Sequence, residues 1–162
     1  MKVVRRIQRG MTLVEFTFLA SVLLLILFAI MEIGMYVYSI QTINNITRKA
    51  ARFATVCVVS DPDIPSLALN DGAPDGFTSS NLVIEYLGSD GAKVAEPPAS
   101  HYADIYYVRA RVTGYSYQFS GLLSFLGNSG VVSVPDFETT LPSESLGILR
   151  PDSSDPDDKT DC

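Results

Sequence analysis

Two acidic side chains lie inside an otherwise apolar stretch of this chain. Glu15 comes five residues after Gly10, and Glu32 follows residues 16–31, which contain no charged side chain. A carboxylate near the interior of a membrane is costly, so such a residue is by default a functional hypothesis. The chemistry available to Glu15 is charge pairing with a cation. The alternative is that Glu15 lies close to the lipid headgroups and is merely tolerated there.

The other reactive side chains do not form a recognisable catalytic or metal site. The one histidine, His101, follows a Pro-rich loop and is expected to be exposed, which excludes catalysis or metal binding built on several histidines. No nucleophile motif surrounds any serine. We therefore expect no catalytic residues, no cofactor and no metal ligands. Residues 151–162 are rich in aspartate and could bind calcium, but they lack the glycine and terminal glutamate of an EF-hand loop, and a solvated acidic tail is the better interpretation.

The two cysteines, Cys57 and Cys162, permit two interpretations. In an oxidising compartment they could form a disulfide. That bond would close a loop of about 105 residues, which the chain-entropy model values at about 4–5 kcal/mol. Alternatively, Cys57 is a small buried apolar residue and Cys162 is a free terminal thiol. In either case, two cysteines exclude a disulfide-dense secreted scaffold.

Charge is segregated along the 162 residues, whose formal net charge is −6. The first ten residues hold four basic residues and no acid, whereas residues 61–162 hold five basic and 16 acidic residues. A net-negative chain is disfavoured as a nucleic-acid binder, so no nucleic-acid partner is expected. A hydrophobic content of 47% is high for so acidic a chain, which indicates that one segment carries the excess.

Residues 11–40 are that segment, and about 20 predominantly apolar residues are enough to cross a bilayer. The basic residues directly before it favour a cytoplasmic N-terminus. An ordinary cleaved signal peptide is the alternative for a basic stretch followed by an apolar one. It is disfavoured because the apolar core exceeds the usual length of about 7–15 residues and no Ala-x-Ala-like cleavage site follows.

The same helix is predicted to continue beyond the membrane. Apolar residues recur with helical spacing at Ile43, Ala50 and Cys57, and polar and basic residues fall off this stripe. Residues 11–60 are therefore predicted to form a transmembrane and amphipathic stalk helix, which the Asp-Pro-Asp sequence at 61–63 ends.

Residues 61–150 are predicted to form a small β-rich distal domain. The alternating residues 82–87 are predicted as one strand. Residues 106–119 are predicted as a second, with a bulge at Gly114 where the parity of the large side chains changes. A third strand covers residues 131–140. Because so few strands are marginal alone, we expect an antiparallel sheet that packs on the apolar stripe of the helix, which is an α+β fold.

Residues 1–10 are a short basic leader that ends with Gly10. The hydrophobic residue Met11 follows, and Glu15, at the fifth position after Gly10, opens an apolar helix. This pattern resembles the N-terminus of type IV prepilins and pseudopilins. Further features narrow the resemblance to TadE-like minor pseudopilins of tight-adherence (Flp) pilus systems. In chain order, these features are Val14-Glu15-Phe16, Leu23-Leu24-Leu25-Ile26-Leu27, Ile30-Met31-Glu32-Ile33-Gly34 and Arg48-Lys49-Ala50-Ala51-Arg52-Phe53-Ala54.

The resemblance implies how the chain is processed and assembled. A prepilin peptidase would remove residues 1–10 as a leader by cutting after Gly10, leaving Met11 as a mature N-terminus that is often methylated. Glu15 of an incoming subunit would then neutralise the new α-amine of a neighbour, which offsets much of the cost of an unpaired carboxylate. The chain would thus be a structural subunit of a Tad/Flp pilus or related secretion pseudopilus, and not an enzyme.

The resemblance also implies a location and a set of partners. The partners would be other pilin or pseudopilin subunits, the prepilin peptidase, the inner-membrane assembly platform and the lipid bilayer. The chain would cross the bacterial inner membrane once, with its C-terminal domain extracytoplasmic, or lie in an extracellular pilus after assembly. The alternative function is a permanently anchored single-pass membrane protein with an extracytoplasmic binding domain.

Overall fold

The computed structural model describes residues 5–70, 72–119, 121–148 and 162, with side chains from Thr12 onward. Residues 1–4 of the predicted leader and residues 151–161 of the predicted acidic tail lie outside this part of the chain. The helices and strands of the described residues are α1 (Arg5–Val56), α2 (Ile64–Leu69), β1 (Leu82–Leu87), β2 (Tyr107–Val112), β3 (Ser116–Gln118), β4 (Val131–Ser133) and β5 (Glu138–Pro142). Three short 3₁₀ helices lie at Ser79–Asn81, Pro98–Ser100 and Tyr102–Asp104.

The chain forms two compact units. The first, here called the helix–loop unit, contains α1 as far as Tyr38 together with Tyr117–Val132. The second, here called the sheet unit, contains Ser39–Ser116 and the residues from Ser133 onward. The predicted distal domain, residues 61–150, therefore contributes to both units.

The core of the sheet unit forms where the last turns of α1 meet the sheet. The predicted helical stripe is buried there, with Ile43, Ala50, Ala54 and Cys57 each 0% exposed. The small side chains of Ala50, Ala54 and Cys57 allow the backbone to approach its neighbours closely. The main core cluster consists of Ala54, Cys57, Val59, Ile64, Tyr86, Ile105, Val108 and Leu146. A long helix packed on a small antiparallel sheet confirms the predicted α+β fold.

The sheet of this unit has the strand order β1–β2–β5 and is antiparallel throughout. Ala110 lies opposite Ile84 on one side and Thr139 on the other, so alternate side chains of all three strands share a face. Val108, Ala110 and Val112 are buried on that face, as the period of two along β2 predicts. The predicted first strand has the same bounds as β1.

The other two predicted strands are each divided in the structure. β2 belongs to the three-stranded sheet, whereas β3 pairs with β4 in a separate two-stranded sheet. Gly114, with φ +68°, lies at a bend between β2 and β3. The predicted bulge is therefore wrong, because a change of parity also arises where a chain leaves one sheet for another. The predicted strand over residues 131–140 is divided in the same way, into β4 and β5, with Pro135 between them.

The C-terminal segment completes the end of α1. The N–H groups of Leu146 and Gly147 donate to the carbonyl oxygens of Thr55 and Val56, at 3.0 and 2.8 Å. The last four carbonyls of a helix have no partner within it, so these bonds satisfy groups that burial would otherwise penalise. The Asp-Pro-Asp sequence at 61–63 lies beyond this end and precedes α2, a short helix that the sequence did not predict.

Gly147 lies in the tightest part of this contact and provides a test of it. Gly147 has φ +78°, and a Cβ atom there would lie 2.7 Å from both the nitrogen and the Cα of Val58. Gly147→Ala is expected to lower the free energy of unfolding through backbone strain, which costs about 1–2 kcal/mol, and through this clash in addition. Urea unfolding of the full chain in detergent micelles measures the loss.

Gly91→Ala is the matched control, because Gly91 has φ +77° but open space around the position of its missing Cβ. Gly91→Ala should lower the free energy of unfolding only by the cost of backbone strain. Equal losses in the two variants would contradict the close contact between Gly147 and Val58.

Candidate functional site

Between Thr12 and Tyr38, α1 carries large apolar side chains that are exposed around the helix. Phe16 is 72% exposed, and Leu13 and Phe18 are similarly exposed. By length and composition this helix could cross a membrane, and none of its apolar window is buried inside the protein. Because an α-helix makes its backbone hydrogen bonds internally, such a segment needs no polar partners from lipid.

The processing and assembly residues predicted from the sequence all lie in the first part of this helix. Gly10 and Met11 belong to α1, although the Met11 side chain lies outside the described part of the chain. Glu15 is exposed among apolar neighbours. The nearby hydroxyl of Thr17 donates to the Leu13 carbonyl oxygen at 2.8 Å, so this polar side chain is satisfied within the helix.

Glu32 has a different environment from Glu15, because it is buried in the helix–loop unit. Its side chain is 6% exposed, and its two carboxylate oxygens each accept a backbone N–H. Gly121 donates to Oε1 at 2.6 Å and Leu123 donates to Oε2 at 2.7 Å. Hydrogen bonds to an ionised acceptor are short and stronger than neutral ones. Glu32 therefore attaches the loop at residues 121–126 to α1.

The position of Gly121 explains how the loop comes so close to the carboxylate. A Cβ atom at residue 121 would lie 2.6 Å from Oε1 of Glu32, so a side chain there would require the Glu32 carboxylate to move. The loop itself turns tightly, since Ser124 N–H donates to the Gly121 carbonyl and Leu126 N–H donates to that of Leu123.

Apolar and aromatic side chains surround this contact. Phe28, Met31, Met35 and Leu122 line a groove of about 280 Å³ beside Glu32. One helical turn further on, three rings form a cluster. The centroid of Tyr36 lies 5.1 Å from that of Tyr117 and 5.5 Å from that of Phe119, and the latter two are 5.1 Å apart. Pairs at these separations are favourable beyond their buried area.

The sequence analysis recognised Glu32 as part of a family-like pattern but assigned it no role. The available signal was that a second acid at the end of an apolar run needs hydrogen-bond donors. The donors, however, are backbone groups that lie 89 and 91 residues further along the chain. No local spacing in the sequence could identify them.

Glu32→Ala is expected to release the loop, because the Gly121 and Leu123 amides lose their acceptor. A hydrogen bond to a charged group contributes about 1.5–3 kcal/mol, so these amides should exchange with solvent roughly 10- to 100-fold faster. Amide hydrogen exchange of the full chain in detergent micelles measures this protection. Glu15→Ala, which removes the exposed carboxylate of the same helix, should leave the loop amides unchanged. Equal protection with and without Glu32 would contradict the attachment.

The sheet unit contains a second buried carboxylate, Glu85 on β1. Glu85 is 5% exposed and lies opposite Arg109 in the strand register. The Nε and Nη2 atoms of Arg109 donate to its Oε2 at 2.9 and 2.5 Å. Its Oε1 lies 2.5 Å from Lys93 Nζ and 3.0 Å from Arg111 Nη2. The structure thus directs both Arg109 and Arg111 of β2 toward this buried acid.

Three cations around one carboxylate control its titration. Burial raises the pKa of Glu85, but the hydrogen bonds from Lys93 and Arg109 and the charges of Arg109 and Arg111 outweigh burial, so the pKa lies below its ordinary value. A lowered pKa in the folded state stabilises the fold above the ordinary pKa, and this stabilisation disappears as pH falls through the folded value.

Glu85→Gln should therefore destabilise the protein in a pH-dependent way. At neutral pH we expect a loss of about 1–3 kcal/mol, because the cations are left without their acceptor. The difference from the unmodified protein should begin to shrink as pH falls below the ordinary glutamate pKa of about 4.3, and it should disappear as pH falls through the lower pKa of Glu85 in the folded protein. Urea unfolding of the full chain in detergent micelles between neutral and acidic pH measures the difference. Glu144→Gln, at an exposed position, is the control, and a constant difference across this range would contradict the ion-pair cluster.

Cys57 and Cys162 are joined by a disulfide in the structure, with Cα atoms 5.6 Å apart. Cys57 is fully buried, and the Cys162 N–H donates to Asp61 Oδ2 at 3.4 Å. The structure thus brings together the two residues whose pairing the sequence left open. The bond lies one residue beyond the end of α1, next to the segment that completes this helix.

Among the residues that the structure describes, no group of three or more His, Cys, Asp or Glu side chains could hold a metal ion. His101 is half-buried and not exposed as predicted, with Nδ1 3.5 Å from Asp104 Oδ2. The aspartates of the tail that could bind calcium lie outside the described part of the chain.

Comparison with known proteins supports the interpretation of the N-terminal helix. Residues 10–52 match a family model described as TadE-like protein. No curated protein and no solved structure matches the chain. The TadE-like family consists of structural pilus-associated proteins and is not an enzyme family, and its members associate with other components of the Tad pilus. The match confirms the resemblance found in the sequence and identifies residues 10–52 as a TadE-like region.

Proposed function

We propose that this chain is a minor pseudopilin that is processed after Gly10 and assembled as a structural subunit of a Tad/Flp pilus or related secretion pseudopilus. The observation that carries the proposal is the TadE-like match over residues 10–52. This match coincides with an apolar helix whose side chains are exposed and not used in a protein core. An unused apolar surface of this size is typical of a membrane or protein interface.

Processing would occur at the start of this helix. Cutting between Gly10 and Met11 removes the four basic residues of the leader and creates an α-amine, which is largely cationic at neutral pH. Glu15, four residues further on and exposed, is then available to an amine of a neighbouring subunit. Pairing supports assembly because an isolated carboxylate in an apolar medium is costly, whereas a paired one is much less so.

The location follows from the same features. The chain crosses the bacterial inner membrane once, with the basic leader in the cytoplasm and the sheet unit outside it. The disulfide between Cys57 and Cys162 supports this orientation, because such bonds persist in oxidising compartments and are rare in the cytoplasm. The expected partners are other pilin or pseudopilin subunits, the prepilin peptidase, the inner-membrane assembly platform and the lipid bilayer.

Mass spectrometry of the chain recovered from its native membrane tests processing directly. We expect a mature N-terminus at Met11, and we expect Gly10→Leu to block cleavage by obstructing the peptidase with a side chain. The same spectra, before and after reduction, report the disulfide as a gain of two hydrogens. An intact Met1-Lys2 terminus would instead support the permanently anchored binding protein.

Glu15→Ala separates assembly from processing in the same experiment. Cleavage should stay largely intact, whereas incorporation into the pilus, or co-purification with its other subunits, should fall because the α-amine of the neighbour loses its partner. Glu15→Asp keeps the charge and should restore part of the incorporation. Normal incorporation of Glu15→Ala would show that the proposed pairing is wrong.

A further inference from the structure

We propose that the loop at residues 121–126, attached to α1 by Glu32, is a second membrane contact that inserts Leu122, Phe125 and Leu126 into the interfacial region of the phospholipid bilayer. The inference rests on the proposed function only in that α1 spans the membrane. It proposes a lipid contact for a surface that the proposed assembly role does not use.

The first argument is the position of the loop along the helix. The 20 residues from Thr12 to Met31 span about 30 Å at 1.5 Å per residue, which equals the thickness of the hydrocarbon core. Glu32 is the next residue and is buried beneath the loop. Its hydrogen bonds to Gly121 and Leu123 therefore hold the loop at the level where the hydrocarbon ends.

The second argument is the chemistry of the loop. Phe125 is 73% exposed, Leu122 is 40% exposed and Leu126 is 39% exposed. Residues 61–162 carry 16 acids, yet no Asp, Glu, Lys, Arg or His lies between Arg111 and Asp136. An uncharged stretch of this length matches the requirement of an interface with lipid, where each charged side chain near the hydrocarbon would be penalised.

The third argument is continuity with the exposed surface of α1. Leu122 and the exposed residues Phe28, Met31 and Met35 line the same groove, so one apolar surface covers both the helix and the loop. The Tyr36, Tyr117 and Phe119 cluster lies one helical turn beyond Glu32. Tyrosine is enriched at the headgroup level of membranes, because its ring is apolar and its hydroxyl is polar. A bilayer covers the exposed side chains of this surface at once, with the rings of Tyr36 and Tyr117 at its polar boundary.

The chain contains no tryptophan, so a single Trp introduced into the full chain reports on one position. Phe125→Trp is compared with Leu23→Trp, which lies near the middle of the residue 12–31 segment and is exposed on α1. Each variant is reconstituted in phosphatidylcholine–phosphatidylglycerol vesicles. The phosphatidylcholine carries bromines either near the carbonyl end or near the middle of its acyl chains, and N-acetyltryptophanamide serves as the aqueous reference.

Trp at position 125 should emit at shorter wavelength than the aqueous reference and be quenched more by the shallow bromines than by the deep ones. Trp at position 23 should show the reverse order. If the Trp at position 23 is quenched but the Trp at position 125 emits at the wavelength of the aqueous reference, the loop contact is wrong and the membrane anchor remains supported. A shifted but unquenched signal at position 125 would also overturn it, because the loop would then be covered by protein. Absence of quenching at position 23 would overturn the membrane-spanning helix itself.

Glu32→Ala in the Phe125→Trp background tests the attachment. It removes the acceptor of the Gly121 and Leu123 amides, so the loop should separate from α1 and quenching by the shallow bromines should decrease. Glu15→Ala is the matched control, because it removes an exposed carboxylate from the same helix. Undiminished quenching in Glu32→Ala would overturn the role of Glu32 in placing the loop.

Discussion

One constraint underlies this structure: a single helix must serve two environments. As far as Tyr38, the side chains of α1 are large, apolar and exposed, whereas Ala50, Ala54 and Cys57 are small and completely buried. The backbone can remain the same in both, because an α-helix satisfies its own N–H and C=O groups in lipid and in a protein core alike. Only the size and exposure of the side chains change, and this change coincides with the division of the chain into two units.

Glu32 and Glu85 are buried carboxylates in different units, and each is satisfied by what its unit has available. In the helix–loop unit, backbone N–H groups of the loop provide the hydrogen bonds to Glu32. In the sheet unit, Glu85 contacts Arg109 and Arg111 of the neighbouring strand β2 and Lys93, which follows β1. Backbone donors bring no net charge toward the apolar surface of α1. The Glu85 cluster needs solvent nearby, because its three cations exceed its one acid, and Lys93 is accordingly 61% exposed.

The sequence was most informative where structure is determined locally. The apolar run, the helical stripe ending at Cys57 and the alternation in β1 depend on residues within a few positions of one another, and all three predictions agree with the structure. The division of two predicted strands between separate sheets was missed because pairing partners are chosen at long range. The donors to Glu32 and the acceptors of the Leu146 and Gly147 amides are likewise about 90 residues away in sequence. A pattern of residue types does not encode such pairings.

The C-terminal end of α1 shows how a small sheet becomes stable on one helix. Three strands alone are marginal, and here three different restraints act within a few residues of Val56. Burial of Ala54 and Cys57 stabilises the packing of the helix on the sheet but does not fix its geometry. The hydrogen bonds from Leu146 and Gly147 fix the position of the C-terminal segment. The Cys57–Cys162 bond restricts the unfolded chain, in the entropic account of disulfides. All three restraints act at the end of α1 that lies in the sheet unit, and none of them involves the exposed apolar segment. The sheet unit can therefore be stable while the large apolar side chains between Thr12 and Tyr38 remain exposed.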